Sequence, residues 1–356
     1  MNIVLFGASG DISKKKIYPA LHEWYNEEPD FINSIIGYGR SSYTQKTFRE
    51  LVGKNLIHDN NNANPMKLLD FCDYQQGQYT CHNDFLKLKH KIIGYNIQKN
   101  DIIIFYFGVP SHIVSNIITN IQVSNIDRDY DCRYILEKPI GDSLESCVTI
   151  LNYLNKIIDS NKIYILDHYL GKSSIMDLIN KKVITKKIQI LLYEKELVNH
   201  RLQYFDDIGL FKDMVQSHVL TILLYCFPDL FDFDFKNLKI ISCIRGQYKE
   251  YKGTKKTETY IKLVLRWNDV DIIIEAGKGI DSDKKEIHYI NDEMKNIVIP
   301  ITSDFSEYKM LFMDALDKNK RRYLNSKNIK KFWELSEYIM NNTNKDMFIY
   351  DVPMIL

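Results

Sequence analysis

The sequence predicts a doubly wound α/β domain of the Rossmann type followed by an α+β domain with a large antiparallel sheet. Three observations carry this. Short apolar runs at 2–6, 34–38, 102–107, 133–136 and 163–166 show no alternation, as parallel strands buried on both faces do. Helical patterns lie between them, for example at 12–25 and 143–159, and strand–helix alternation builds a parallel sheet. In the second half "KIQILLYEKEL", "LKIISCIRGQY", "TYIKLVLRW" and "VDIIIEAGK" are longer and β-rich. They suit an antiparallel sheet, with helices expected at 207–226, 305–318 and 327–341. The expected domains are 1–170 and 171–356.

Bulk properties set the bounds. The chain has 356 residues, enough for two domains and a large core, and 47 Lys+Arg balance 46 Asp+Glu. Nothing in that balance argues for nucleic acid or membrane binding. No apolar run reaches the ~18 residues a spanning helix needs. The N-terminus enters a strand directly, "MNIVLFG", without a basic leader. The six cysteines contain no C-x-x-C pair, and several lie in apolar runs, as reduced core cysteines do. The expected address is the cytoplasm. "NNNANP", 60–65, reads as a loop.

"VLFGASGDISKKKIYPAL", 4–21, is a strand, a glycine turn and a helix start. Gly7 permits a tight turn, and Gly10 lets backbone approach a pyrophosphate. The following helix start offers free N–H groups and a positive dipole end. The spacing is G-x-x-G rather than G-x-G-x-x-G, so a purely structural turn stays open; its place after the first strand favours a nucleotide. The second strand ends "IIGYGRSS", with Arg40 where an NAD-binding domain has a carboxylate for the ribose 2′-hydroxyl. A guanidinium there suits a 2′-phosphate, so the cofactor expected is NADP rather than NAD. The alternative is a solvated surface arginine. No metal is expected.

The stretch "YILDHYLGKSS", 164–174, loads Asp167, His168, Tyr169 and Lys172 onto the end of one apolar strand. Together with "FGASGDISKKKIYPAL", "EKPIG" (137–141) and "FDDIGLFKDMVQSH" (205–218), its "DHYLGK" resembles the glucose-6-phosphate dehydrogenase family, in order and spacing. Weaker echoes are "RGQY" (245–248), "TETY" (257–260), "RW" (266–267) and "AGK" (276–278). The resemblance implies a Rossmann coenzyme domain, a β+α substrate domain, and hydride transfer from C1 of glucose 6-phosphate to NADP, giving 6-phosphogluconolactone. It also implies a homodimer built on the large sheet.

Residue by residue, the resemblance places Gly7, Ser9, Gly10 and Asp11 in the coenzyme turn, Lys14 near the phosphates, and Arg40 with Ser41 at the 2′-phosphate. Lys138 falls between coenzyme and sugar. His168, Tyr169 and Lys172 match the sugar-phosphate group, and Glu194 and Asp213 the carboxylates that hold sugar hydroxyls. His218 matches the general base, Asp167 its orienting partner, and Lys278 a substrate-binding lysine.

The chemistry needs such residues. Oxidising a hemiacetal removes a hydroxyl proton while a hydride leaves, and a histidine has a pKa near the working pH. Bland readings stand beside the functional ones. Phe211, Met214, Val215 and His218 follow i, i+3, i+4, i+7 spacing, so His218 can be core. Asp206 or Asp207 is expected to cap the helix N-terminus. An alternating strand puts Glu194 and Glu196 on one face, and either can be solvated. Lys278 can be an exposed lysine after a strand.

Three departures from the family stand out. The chain is short, and "SSIMDLINKKVITKK", 173–187, replaces the usual continuation of "DHYLGK". The basic residue expected a few positions after Lys278 is missing; Asp283 stands there, and Lys284 substitutes only after a one-residue shift. "EYKGTKKTET" shortens a loop of the second domain. The same chemistry on another hexose 6-phosphate or an amino-sugar 6-phosphate therefore stays open, as does a non-catalytic NADP-binding sensor.

Overall fold

A computed structural model describes the chain except residues 57–65, 99–100, 182, 199–201, 229–236 and 292; the loop read at 60–65 lies outside the described residues. The chain forms two compact units. The first holds Met1–Gly141, Glu145–His168 and Ser306–Ser326, the second Asp142–Leu144, Tyr169–Phe305 and Lys327–Leu356.

The first unit is built on seven strands: β1 (Asn2–Phe6), β2 (Ser34–Gly39), β3 (Cys72–Gln76), β4 (Ile102–Phe107), β5 (Asp131–Glu137), β6 (Ile163–Leu166) and, in chain order the thirteenth, β13 (Tyr323–Leu324). Their order is β13-β6-β5-β4-β1-β2-β3. The first six are parallel, and β13 joins the β6 edge antiparallel. The unbroken apolar runs explain the parallel core: Ile3, Leu5, Phe6, Ile103–Phe107 and Ile135 are all fully buried. Strand β3 escaped the sequence reading because its pattern, CDYQQ, is half polar. It lies at a sheet edge, and its polar positions find polar partners: Asp73 pairs with Lys91 at 2.8 Å and accepts from the Tyr95 hydroxyl at 3.0 Å.

Residues 306–326, within the 171–356 half of the sequence reading, belong to the first unit. The helix Glu307–Leu316 buries Tyr308, Leu311, Phe312 and Ala315 in the core under β1 and β4. Lys309 fixes it to the first long helix through Glu23 (2.8 Å) and Glu27 (2.6 Å).

The second unit carries the other sheet: β7 (Lys187–Glu194), β8 (Leu238–Tyr248), β9 (Tyr260–Trp267), β10 (Val270–Lys278), β11 (Lys284–Ile290), β12 (Asn296–Pro300) and β14 (Met347–Tyr350), ordered β12-β11-β7-β10-β9-β8-β14. It is mostly antiparallel, but β7–β10 and β8–β14 pair in parallel. The β7–β10 register puts Glu194 opposite Lys278. No described helix is long and apolar enough to cross a membrane, and the six cysteines are free.

Candidate active site

In the first unit, the chain leaves β1 through Gly7, whose φ of +80° is the left-handed region that glycine tolerates. A Cβ there would lie 2.1 Å from the Gly108 carbonyl oxygen, so no side chain fits. The turn closes with Gly10 N–H donating to Gly7 O (2.9 Å) and the Ser13 hydroxyl to the same oxygen (3.0 Å). Ser9 and Gly10 are half-buried, while Asp11 is exposed and pairs with Lys14 at 3.4 Å. The helix that follows opens with one wide turn, Ser13–Ile17, in which Tyr18 N–H reaches back five residues to Ser13 O. Gly7 N–H also donates to Tyr38 O (3.1 Å), tying the turn to β2. Two residues past Tyr38, Arg40 and then Ser41 are exposed, with their carbonyls fixed by Gln76 (3.2 Å) and Tyr74 (2.7 Å). The glycine cradle and the guanidinium at the end of the second strand fit a phosphorylated dinucleotide in this unit.

At the carboxyl ends of β5 and β6 sits a buried charge cluster. Lys138 Nζ donates to Asp167 Oδ2 at 2.7 Å, with both side chains almost fully covered. Burial pulls the Lys138 ammonium below its ordinary pKa, against the attraction of Asp167 and Glu137. Glu137 accepts from the Tyr106 hydroxyl at 2.5 Å. Burial pushes its carboxyl up to about 7 although Tyr106, Tyr308 and Lys138 favour the anion. His168 stacks on Tyr308, 6.2 Å between ring centres. Sequence reasoning missed Glu137, Tyr106 and Tyr308. Glu137 stands in the sequence only as the first letter of "EKPIG", and nothing in a sequence shows that Tyr308 comes beside Glu137 and His168.

In the second unit, Glu194, Asp213 and Lys278 come together. Lys278 Nζ is 2.5 Å from Glu194 and 4.0 Å from Asp213, and lies over the Phe205 ring at 5.7 Å. Lys285 holds the other Glu194 oxygen at 2.9 Å. Burial opposes ionising Glu194, but the two ammonium groups outweigh it and hold its carboxyl at about 2. Two expectations are corrected. Strand β7 ends at Glu194, so Glu196 lies beyond the alternating pattern, exposed and outside any strand. The basic residue that follows Lys278 in space is Lys285, not Lys284. Lys284 pairs across from Tyr193, whereas Lys285 pairs with Leu192 and so shares the Glu194 face. Lys285→Ala is expected to raise the KM for a sugar phosphate about tenfold or more, and Lys284→Ala to leave it within about twofold; steady-state kinetics on both separates the assignments.

His218 sits neither in a regular α-helix nor on a plain core stripe. The helix Leu202–Leu210 is broken at Gly209 (φ +75°), and Phe211–Val219 then forms wide π-helical turns, with Leu220 N–H donating to Val215 O. Such turns recur at functional sites. The 3.6-residue stripe therefore does not apply, and His218 is half-buried among buried neighbours. Its ring stacks on Tyr169 at 4.2 Å and 19°, and the Lys172 ammonium lies 5.7 Å from the same tyrosine ring. Lys172 leads directly into the helix Ser173–Lys181, Met176 N–H donating to Lys172 O at 3.1 Å, and Ser174 is tied to Thr302 by bonds of 3.0 Å. Within the departing segment, Ser173–Lys181 thus forms an amphipathic helix.

The capping expectation for Asp206 and Asp207 is also overturned. Asp206 lies inside its helix and accepts from Tyr251, Thr254 and Lys255 N–H at 2.7–3.1 Å. Burial opposes this, but those hydrogen bonds hold its carboxyl at about 2. Asp207 pairs with Lys255 at the surface.

Comparison with known proteins agrees with this architecture. Residues 4–177 match the family model described as glucose-6-phosphate dehydrogenase, NAD binding domain, and 171–227 that described as its C-terminal domain. Glucose-6-phosphate 1-dehydrogenase of Cyberlindnera jadinii is 28% identical over 339 residues, covering 81% of this chain and 68% of the relative. That of Buchnera aphidicola subsp. Baizongia pistaciae (strain Bp) is 29% identical, covering 80% and 70%. A solved glucose-6-phosphate dehydrogenase in complex with its substrate glucose-6-phosphate shares the fold, with TM-score 0.84, 22% identity, and 99% and 95% coverage. The family models, the relatives and the shared fold make the chain a member of the glucose-6-phosphate dehydrogenase family and a dehydrogenase of that type.

Proposed function

We propose that the chain oxidises glucose 6-phosphate at C1 with NADP as hydride acceptor, releasing 6-phosphogluconolactone. The observation that carries this is the convergence of Glu194, Asp213, Lys278 and Lys285 from four separate parts of the chain. Carboxylates beside ammonium groups suit a polyhydroxylated, anionic ligand: the carboxylates accept from sugar hydroxyls, and the lysines balance charge. His218 takes the proton of the C1 hydroxyl, its ring stacked on Tyr169, and Asp167 is proposed as its orienting partner. His168, Tyr169 and Lys172 bind the sugar phosphate. Lys138 serves sugar and coenzyme. Gly7, Ser9, Gly10, Asp11 and Lys14 receive the pyrophosphate end, and Arg40 with Ser41 the 2′-phosphate. The bound nicotinamide supplies the hydride acceptor.

The protein is proposed to work as a cytoplasmic homodimer built on the second sheet, where Ile241, Ile244, Val298 and Ile349 are exposed. The helix 173–181, beside the proposed phosphate ligands, favours one second reading: the same reaction on another hexose 6-phosphate or an amino-sugar 6-phosphate. Absorbance of NADPH over a panel of sugar phosphates decides between them. No turnover of glucose 6-phosphate beside turnover of another sugar would sink the first reading. Coenzyme binding with no turnover of any would leave a non-catalytic sensor. Arg40→Asp is expected to move preference from NADP toward NAD by roughly 10²-fold in kcat/KM, through loss of a charge-assisted pair and added repulsion; an unchanged ratio refutes the role of Arg40.

A further inference from the structure

The "RGQY" and "TETY" segments have so far taken no part in the site. Their charged residues, Arg245 and Glu258, are both buried, at 4% and 7% exposed. Glu258 faces the break at Gly209. Its Oε1 accepts the N–H of Phe211 at 3.0 Å, and its backbone carbonyl accepts the N–H of Leu210 at 3.3 Å. A Cβ on Gly209 would stand 3.0 Å from that same Oε1. Arg245 Nη1 lies 3.8 Å from the other carboxylate oxygen, and its Nη2 reaches Thr343 Oγ1 (2.9 Å) and Met340 Sδ (3.1 Å). The shortened loop that delivers Glu258 is itself fastened to the helix before the break. Asp206 collects Tyr251, Thr254 and Lys255, and Thr257 donates to Asp206 O at 3.1 Å.

We infer that Glu258, braced by Arg245, is a positioning residue that sets the register of the π-helical segment bearing Asp213 and His218. Phe211 opens that segment just past the break at Gly209, and its N–H is met there by the Glu258 carboxylate. A buried carboxylate at that end satisfies the amide and matches the positive end of the helix. The wide turns carry one residue more than an α-helix would. If the first amide is released, relaxation to α geometry turns every later side chain by about 100°. Asp213 would then leave Lys278, and His218 would leave Tyr169.

This rests on the proposed roles of Asp213 and His218, so the test includes a readout independent of turnover. Glu258→Gln keeps an acceptor for the Phe211 amide; Glu258→Leu removes it. Glu258→Leu is expected to lower kcat by roughly 10- to 100-fold, as for a misplaced catalytic group. It should leave NADP affinity unchanged and shift the ¹H and ¹⁵N resonances of the His218 ring away from their Tyr169-stacked values. Glu258→Gln should recover most of both. If Glu258→Leu fails to fold, Arg245→Lys, which keeps the charge but loses the fork to Thr343, carries the same readouts with a smaller shift. Unmoved His218 resonances in the folded variants, or a Gln variant as damaged as the Leu one, overturns the inference. Moved resonances without any turnover in the wild type would uphold it and refute the proposed activity instead.

Discussion

His218→Asn is expected to lower kcat by roughly 10²- to 10⁴-fold while leaving the dissociation constant for NADP unchanged, the usual range for a lost general base. Asparagine is smaller but keeps a polar group near the ring Nδ1 position, and it has no nitrogen that takes a proton near neutral pH. The ring is half-buried and lies against Tyr169 at 4.2 Å. The substitution removes that stack, worth about 1 kcal/mol, so a modest fall in stability accompanies the fall in rate. The two are separable: stability is read by urea unfolding, and the rate by NADPH formation at saturating substrate. A kcat within about threefold of wild type would remove His218 from the reaction and leave it a packing role against Tyr169.

Glu137→Gln is expected to change how stability depends on pH. Burial raises the Glu137 carboxyl from its ordinary 4.5 to about 7, with Asp167 adding to the rise and Tyr106, Tyr308 and Lys138 opposing it. Tyr323 faces the same cluster. Between pH 4.5 and about 7 the folded chain holds a proton that the unfolded chain has released. The contribution is fully present below 4.5 and is lost as pH rises through 7, by about 3 kcal/mol in all. Glutamine mimics the protonated form and removes that loss. Stability of the variant relative to wild type should therefore grow in its favour by about 3 kcal/mol from pH 4.5 to pH 8. Glu194 and Asp206, with carboxyls held at about 2, act in the opposite sense and at lower pH, outside this window. Urea midpoints of both proteins at several pH values check it, and a pH-independent difference refutes it.

The fold was largely legible. Unalternating apolar runs encode strands covered on both faces, and the five that stand out became β1, β2, β4, β5 and β6. The glycine turn after β1 and the place of Arg40 after β2 were legible for a local reason. A left-handed φ at Gly7 and a residue two past Tyr38 are properties of neighbouring positions, and local sequence specifies them.

What the sequence by itself determined is therefore the α/β core, the glycine turn, the arginine after β2 and the identity of most candidate side chains. Only the tertiary structure decided which groups meet. The Glu194–Lys285 pair depends on strand register, where a slip of one residue exchanges Lys285 for Lys284. The Glu137 cluster depends on a helix from residues 307–316 packing in the first unit. The π turns at 211–219 depend on a break at Gly209 and a carboxylate almost fifty residues later. Each of these is a long-range contact. Its energy comes from burial and pairing between segments that periodicity along the chain cannot relate.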